Sequence, residues 1–99
     1  MIYKESLPDG RRVQVTFELP SAIWAERVNL VGDFNGWDTS QGEMQQGRAD
    51  GNWRITLVLD AGQEYQFRYL VNGRDWHNDW HADKYARNQY GTDNSVVCT

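Results

Sequence analysis

From residue 12 the chain alternates, with Val13, Val15, Phe17 and Leu19 apolar and Arg12, Gln14, Thr16 and Glu18 polar between them. A period of two sends successive side chains to opposite faces of an extended chain, so this stretch predicts a half-buried β-strand. Pro20 and Ser21 break the pattern. After a short connection, Val28 and Leu30 open a second strand that runs to about Asp33, followed by the turn dipeptide Asn35-Gly36. Asp50-Gly51 leads into the clearest strand, with Trp53, Ile55, Leu57 and Leu59 on one face and Arg54, Thr56 and Val58 on the other. The short link Asp60-Ala61-Gly62-Gln63 joins it to Tyr65, Phe67, Tyr69 and Val71, which alternate with Gln66, Arg68 and Leu70; the two strands are expected to pair as an antiparallel hairpin. Asn72-Gly73 marks the next turn, the segment from Arg74 to Asp93 is polar and irregular, and Ser95 to Cys98 predicts a last strand. No stretch carries helical periodicity.

Short strands at near-even spacing, punctuated by Gly, Asn and Asp, predict an all-β fold, an antiparallel β-sandwich. Ninety-nine residues fit one domain over residues 1–99. The formal net charge of −4 argues against nucleic acid and anionic membranes as partners, because affinity for both comes from clustered Lys and Arg. No apolar run approaches the ~20 residues that span a bilayer. The lone Cys98 has no partner for an internal disulfide, and the segment from Met1 to Ser6 lacks the apolar core of a signal peptide, so a cytoplasmic location is expected.

Aromatic residues change the picture. Five Trp, five Tyr and three Phe make up 13% of the chain, more than the strand stripes can hold. Trp53 belongs to an inward stripe and is expected in the core, and Trp24 and Trp80 are expected to pack in loops. Trp37 and Trp76 follow turns, where a bulky ring is hard to bury and easy to present. Arg68 falls on the polar face of its strand, leaving its guanidinium free to donate hydrogen bonds. The cluster His77-Asn78-Asp79-Trp80-His81 has two histidines at metal-ligand spacing, but the zinc-protease pattern needs Glu where Asn78 stands and a helix that is missing. No metal and no cofactor are expected. Nor is catalysis, since there is no nucleophile motif and no carboxylate pair set across a cleft.

The segment Val28-Asn29-Leu30-Val31-Gly32-Asp33-Phe34-Asn35-Gly36-Trp37 resembles the signature of the isoamylase-type early-set domains, carbohydrate-binding module family 48. That family includes the glycogen-binding domain of the AMP-activated protein kinase β subunit and the N-terminal domains of branching and debranching enzymes. Gly51-Asn52-Trp53, Tyr65-Gln66-Phe67-Arg68-Tyr69 with Asn72-Gly73, Asp79, and the run from Gly91 to Val97 follow in the family's order, so the resemblance covers residues 12–97. It implies an immunoglobulin-like early-set sandwich and a non-catalytic module that binds glycogen, starch or maltooligosaccharides. It also implies sugar contacts at Trp37, Arg68, Trp76, Tyr90, Thr92 and Asn94. Two departures stand out: Arg74-Asp75 holds one residue more than the kinase-subunit pattern before Trp76, and Tyr90 replaces an aliphatic side chain. The alternative functions are a protein-interaction or regulatory domain that has lost sugar binding, self-associating or not, and an accessory domain docked on a separate glucan-processing enzyme.

Overall fold

The structure, a computed structural model, describes residues 1–21 and 24–99. Among the described residues, nine strands form two antiparallel sheets. The first, ordered β1-β2-β5-β4, contains β1 (Ile2–Ser6), β2 (Arg12–Leu19), β5 (Trp53–Asp60) and β4 (Gln45–Gln46). The second, ordered β3-β6-β9-β8, contains β3 (Val28–Gly32), β6 (Glu64–Val71), β9 (Asp93–Cys98) and β8 (Lys84–Arg87), with β7 (Asp75–His77) added to β6. The expected all-β sandwich is therefore the observed fold. The longest helical element among the described residues is a 3-10 turn at Asp33–Asn35, and no helix is long and apolar enough to cross a membrane.

The alternating stripes do what a period of two requires. Val13, Val15, Phe17 and Leu19 from β2 meet Phe67, Tyr69 and Val71 from β6 in one buried cluster, with Val28, Leu30, Met44, Trp53, Leu59 and Val97 completing it. Phe67 lies between Phe17 and Tyr69 in edge-on contacts, with ring centroids 5.0 and 5.7 Å away. Trp53 is buried as expected.

The expected pairing of the strands after Asp50 and after Gln63 is not what forms. β5 pairs along its length with β2, from Arg12 opposite Asp60 to Leu19 opposite Trp53, whereas β6 pairs with β3, β7 and β9. The link through Gly62 carries the chain from one sheet to the other. The physical reason is that both strands have a strong apolar stripe. Facing each other across the sandwich lets each stripe cover the other; as edge neighbours in one sheet they would both need covering by something else.

The segment from Arg74 to Asp93 is also more regular than its polarity suggests, since it contains β7 and β8. Trp24 and Trp80 are the other correction: they are 78% and 74% exposed rather than packed. Asp79 is the buried acid of this region. Its Oδ2 accepts from Tyr69 Oη at 2.7 Å and from the Met1 amino group at 2.8 Å, and its Oδ1 accepts from the His81 amide at 2.7 Å. Burial first, and the Asp79 charge second, push the Tyr69 phenol far above its ordinary pKa, so it acts purely as a donor.

Candidate functional site

Strand β6 organises the site. Its inward residues are Tyr65, Phe67, Tyr69 and Val71, so Gln66, Arg68 and Leu70 face out. One edge of β6 carries β3. The opposite edge is shared end to end, β9 pairing with residues up to Phe67 and β7 with Tyr69 to Val71. Arg68 sits at the junction. The β7 register sets Trp76 directly across from Leu70 on the outer face, where Leu70 is buried.

Trp37 arrives from the other side. Gly32, at the end of β3, passes so close to β6 that a Cβ there would run into the Gln66 carbonyl oxygen and the Phe67 Cβ. This approach lets the Asp33 carboxylate work in two directions. Oδ2 accepts the Gln66 amide at 2.7 Å, and Oδ1 accepts the Trp37 indole Nε1 at 2.9 Å. Gly36 and Trp37 both adopt the left-handed region, with φ of 66° and 59°. That conformation is easy for glycine and unfavourable for a bulky side chain. The Trp37 amide closes the turn on the Gly32 carbonyl at 2.9 Å. Trp37 is half-buried, with its ring tied to Asp33.

The third side is the turn between β8 and β9, built around Asn88. Its Oδ1 accepts the Tyr90 and Thr92 amides at 2.9 and 3.2 Å, and its Nδ2 donates to Thr92 Oγ1 at 2.7 Å and Asn94 Oδ1 at 3.2 Å. Tyr90 at the tip is 81% exposed. Asn94 is buried at the base of the turn and donates from Nδ2 to Gln66 Oε1 at 3.1 Å.

These three parts enclose an open groove of about 600 Å³. Trp37, Arg68, Trp76, Tyr90 and Asn94 line it, and Thr92 stands behind it, bonded to Asn88. The extra residue before Trp76 does not carry that ring away, because β7 pairing holds it at the rim. Arg68 forms no ion pair among the described residues, and its Nε is buried without a hydrogen-bond partner. With no carboxylate engaging it, the guanidinium has donors to offer an acceptor brought by a ligand. Asp33, Gln66, Asn88 and Gln89 also line the groove and were not predicted. Gln66 shares a strand face with Arg68, so the same alternation could have found it; Asn88 gives no such signal.

Chemically, rings on three sides and amide and guanidinium donors on the floor suit a ligand with apolar faces and polar edges. Among the described residues no group of three His, Cys, Asp or Glu side chains is arranged to hold a metal.

The chain is 39% identical over 69 residues to the 1,4-α-glucan branching enzyme GlgB of Bordetella pertussis, a match covering 67% of this chain and 9% of that enzyme. It is 41% identical over 70 residues to the branching enzyme GlgB 2 of Xanthomonas oryzae pv. oryzae, covering 67% and 9%. The chain thus spans about a tenth of the length of these relatives. Among solved structures, the ferric enterobactin esterase of Salmonella typhimurium superimposes with a TM-score of 0.78 at 15% identity, covering 99% of this chain and 34% of that one. The Shigella flexneri enterobactin esterase gives 0.78 at 15%, covering 99% and 32%. At such identities the likeness establishes the fold alone. The sequence pattern of carbohydrate-binding module 48, the isoamylase N-terminal domain, matches residues 5–86, and the chain belongs to that family.

Proposed function

We propose that this carbohydrate-binding module holds an α-glucan of the glycogen or starch type in the groove on the outer face of β6, binding it without acting on it. The observation that carries the reading is the convergence of three aromatic side chains, Trp37, Trp76 and Tyr90, on a floor of Arg68, Gln66 and Asn94. Pyranose rings stack their C–H faces on the aromatic rings, and Arg68 donates to sugar oxygens from below. Thr92 supports the turn from behind through Asn88. The α-glucan class is favoured over other sugars by the relatives named as 1,4-α-glucan branching enzymes.

The open shape of the groove suits a run of several sugar units passing through rather than one enclosed monosaccharide. Rings and a few solvent-competed hydrogen bonds supply roughly 4–7 kcal/mol, which corresponds to about 10 µM to 1 mM for a soluble oligosaccharide. Migration through native gels tests the proposal: the protein is retarded by glycogen or amylopectin cast into the gel and unaffected by a soluble β-glucan. Equal migration in all gels at high polysaccharide load would reject it.

A second reading, docking onto a glucan-processing enzyme or a second copy, is favoured by the exposed Trp80 beside Met1, Leu19 and Pro20. It uses a different surface from the groove and is compatible with sugar binding.

A further inference from the structure

We propose that Gln66 is a sugar-contacting donor of the groove, and that its side-chain amide is locked in the donating orientation by a chain of amides starting at Asn88. This deepens the glucan-binding reading and rests on it. The orientation follows from backbone groups, whose polarity is fixed. The amide N–H groups of Tyr90 and Thr92 converge on one end of the Asn88 side chain at 2.9 and 3.2 Å, so that end is the acceptor Oδ1. The other end is therefore Nδ2, and it directs its hydrogens to Thr92 Oγ1 and Asn94 Oδ1. Asn94 must then turn its own Nδ2 toward Gln66, which answers with Oε1 at 3.1 Å.

Gln66 Nε2 is what remains. It has no hydrogen-bond partner among the described residues, and Gln66 lines the groove. No amide in the chain can flip alone, since each flip would set donor against donor or acceptor against acceptor. The Gln66 backbone is held as well, its amide bonded to Asp33 Oδ2 at 2.7 Å. Arg68 is a donor by chemistry. Gln66 and Arg68, both on the outer face of β6 and both lining the groove, are thus donors, a polarity that selects acceptor oxygens, including the ring and glycosidic oxygens that cannot donate. Asn94, buried and engaged at both ends, works by holding Gln66 in place.

Gln66→Glu tests this, because it keeps the shape and the acceptor for Asn94 Nδ2 but has no donor. Gln66→Met, which also lacks the donor but adds no charge, is the companion. Maltoheptaose binding should weaken about fivefold or more in both variants, with melting temperatures within a few degrees of the parent. In the parent, 15N spectra should show the Gln66 side-chain amide pair shifting and slowing its solvent exchange when maltoheptaose is added. If both variants bind as the parent does while Trp37→Ala abolishes binding, the inference fails and glucan binding stands. A Gln66 amide pair that ignores a sugar the parent demonstrably binds has the same meaning. A parent that binds no α-glucan overturns both.

Discussion

Trp37 offers a way to separate the binding role of a ring from the strain of its backbone. It sits at φ 59°, where a residue with a Cβ loses roughly 1–2 kcal/mol relative to the right-handed region. Trp37→Ala and Trp37→Gly both delete the indole, its bond to Asp33 and its contribution to the groove. They differ in the backbone, because alanine retains the left-handed penalty and glycine does not. Against this, glycine has more unfolded-state freedom to lose, worth about 0.4–1 kcal/mol. The net expectation is that Trp37→Gly is the more stable of the two by about 0.5–1 kcal/mol. For a domain of this size each kcal/mol moves the melting temperature by about 4–8 °C, so Trp37→Gly should melt roughly 2–8 °C above Trp37→Ala. Both should lose at least about 1.4 kcal/mol, or tenfold, in maltooligosaccharide affinity. Differential scanning calorimetry and isothermal titration on the pair read the two effects. If alanine melts as high as glycine, the strain is not carried at Trp37; if either variant binds like the parent, the ring is not a platform. The confirming outcome is a strained aromatic whose strain is kept because its position serves a ligand.

Trp53→Ala should behave oppositely, since Trp53 is buried beside Leu19 in the core: a loss of about 3–5 kcal/mol, seen as a fall of at least about 12 °C in thermal unfolding or as failure to fold. Tyr69→Phe strips the buried Asp79 of its phenol donor and should cost about 1–3 kcal/mol in urea denaturation while leaving sugar affinity unchanged. At Asp83, partial burial raises the carboxyl pKa, but the Cys98 amide and the Lys4 ammonium outweigh it and hold the pKa below its ordinary value. Its contribution is therefore present above the ordinary carboxylate pKa and lost as pH falls through the depressed one. Asp83→Asn should be less stable than the parent at neutral pH and equal to it in strong acid, as read from melting temperatures across pH. Chelation with EDTA should change neither melting temperature nor binding.

The strands with one buried face were legible because burial imposes alternation: β2, β5 and β6 show it plainly. Strands β1, β7 and β8 are short and mostly exposed, so nothing constrains their polarity and no pattern announces them. The hairpin expected between β5 and β6 failed for a related reason, since link length indicates how near two strands lie but not whether they pair or cross the sandwich. In the groove, Trp37, Arg68 and Trp76 could be read from turns and alternation. Asn88 could not, because its work is done through the amides of Tyr90 and Thr92, and a turn of that geometry leaves little trace in side-chain types. Trp24 and Trp80 show the limit of an aromatic count, as ring number does not say which rings find cover.

Titration of the intact protein with maltoheptaose, followed by tryptophan fluorescence with cellohexaose as control, tests the central claim most directly. Trp37 and Trp76 are both at the groove, so sugar stacking on them must alter emission. Emission should change saturably with maltoheptaose at about 10 µM to 1 mM and stay constant with cellohexaose over the same range. No response to maltoheptaose at millimolar concentration, or an equal response to both sugars, would contradict it.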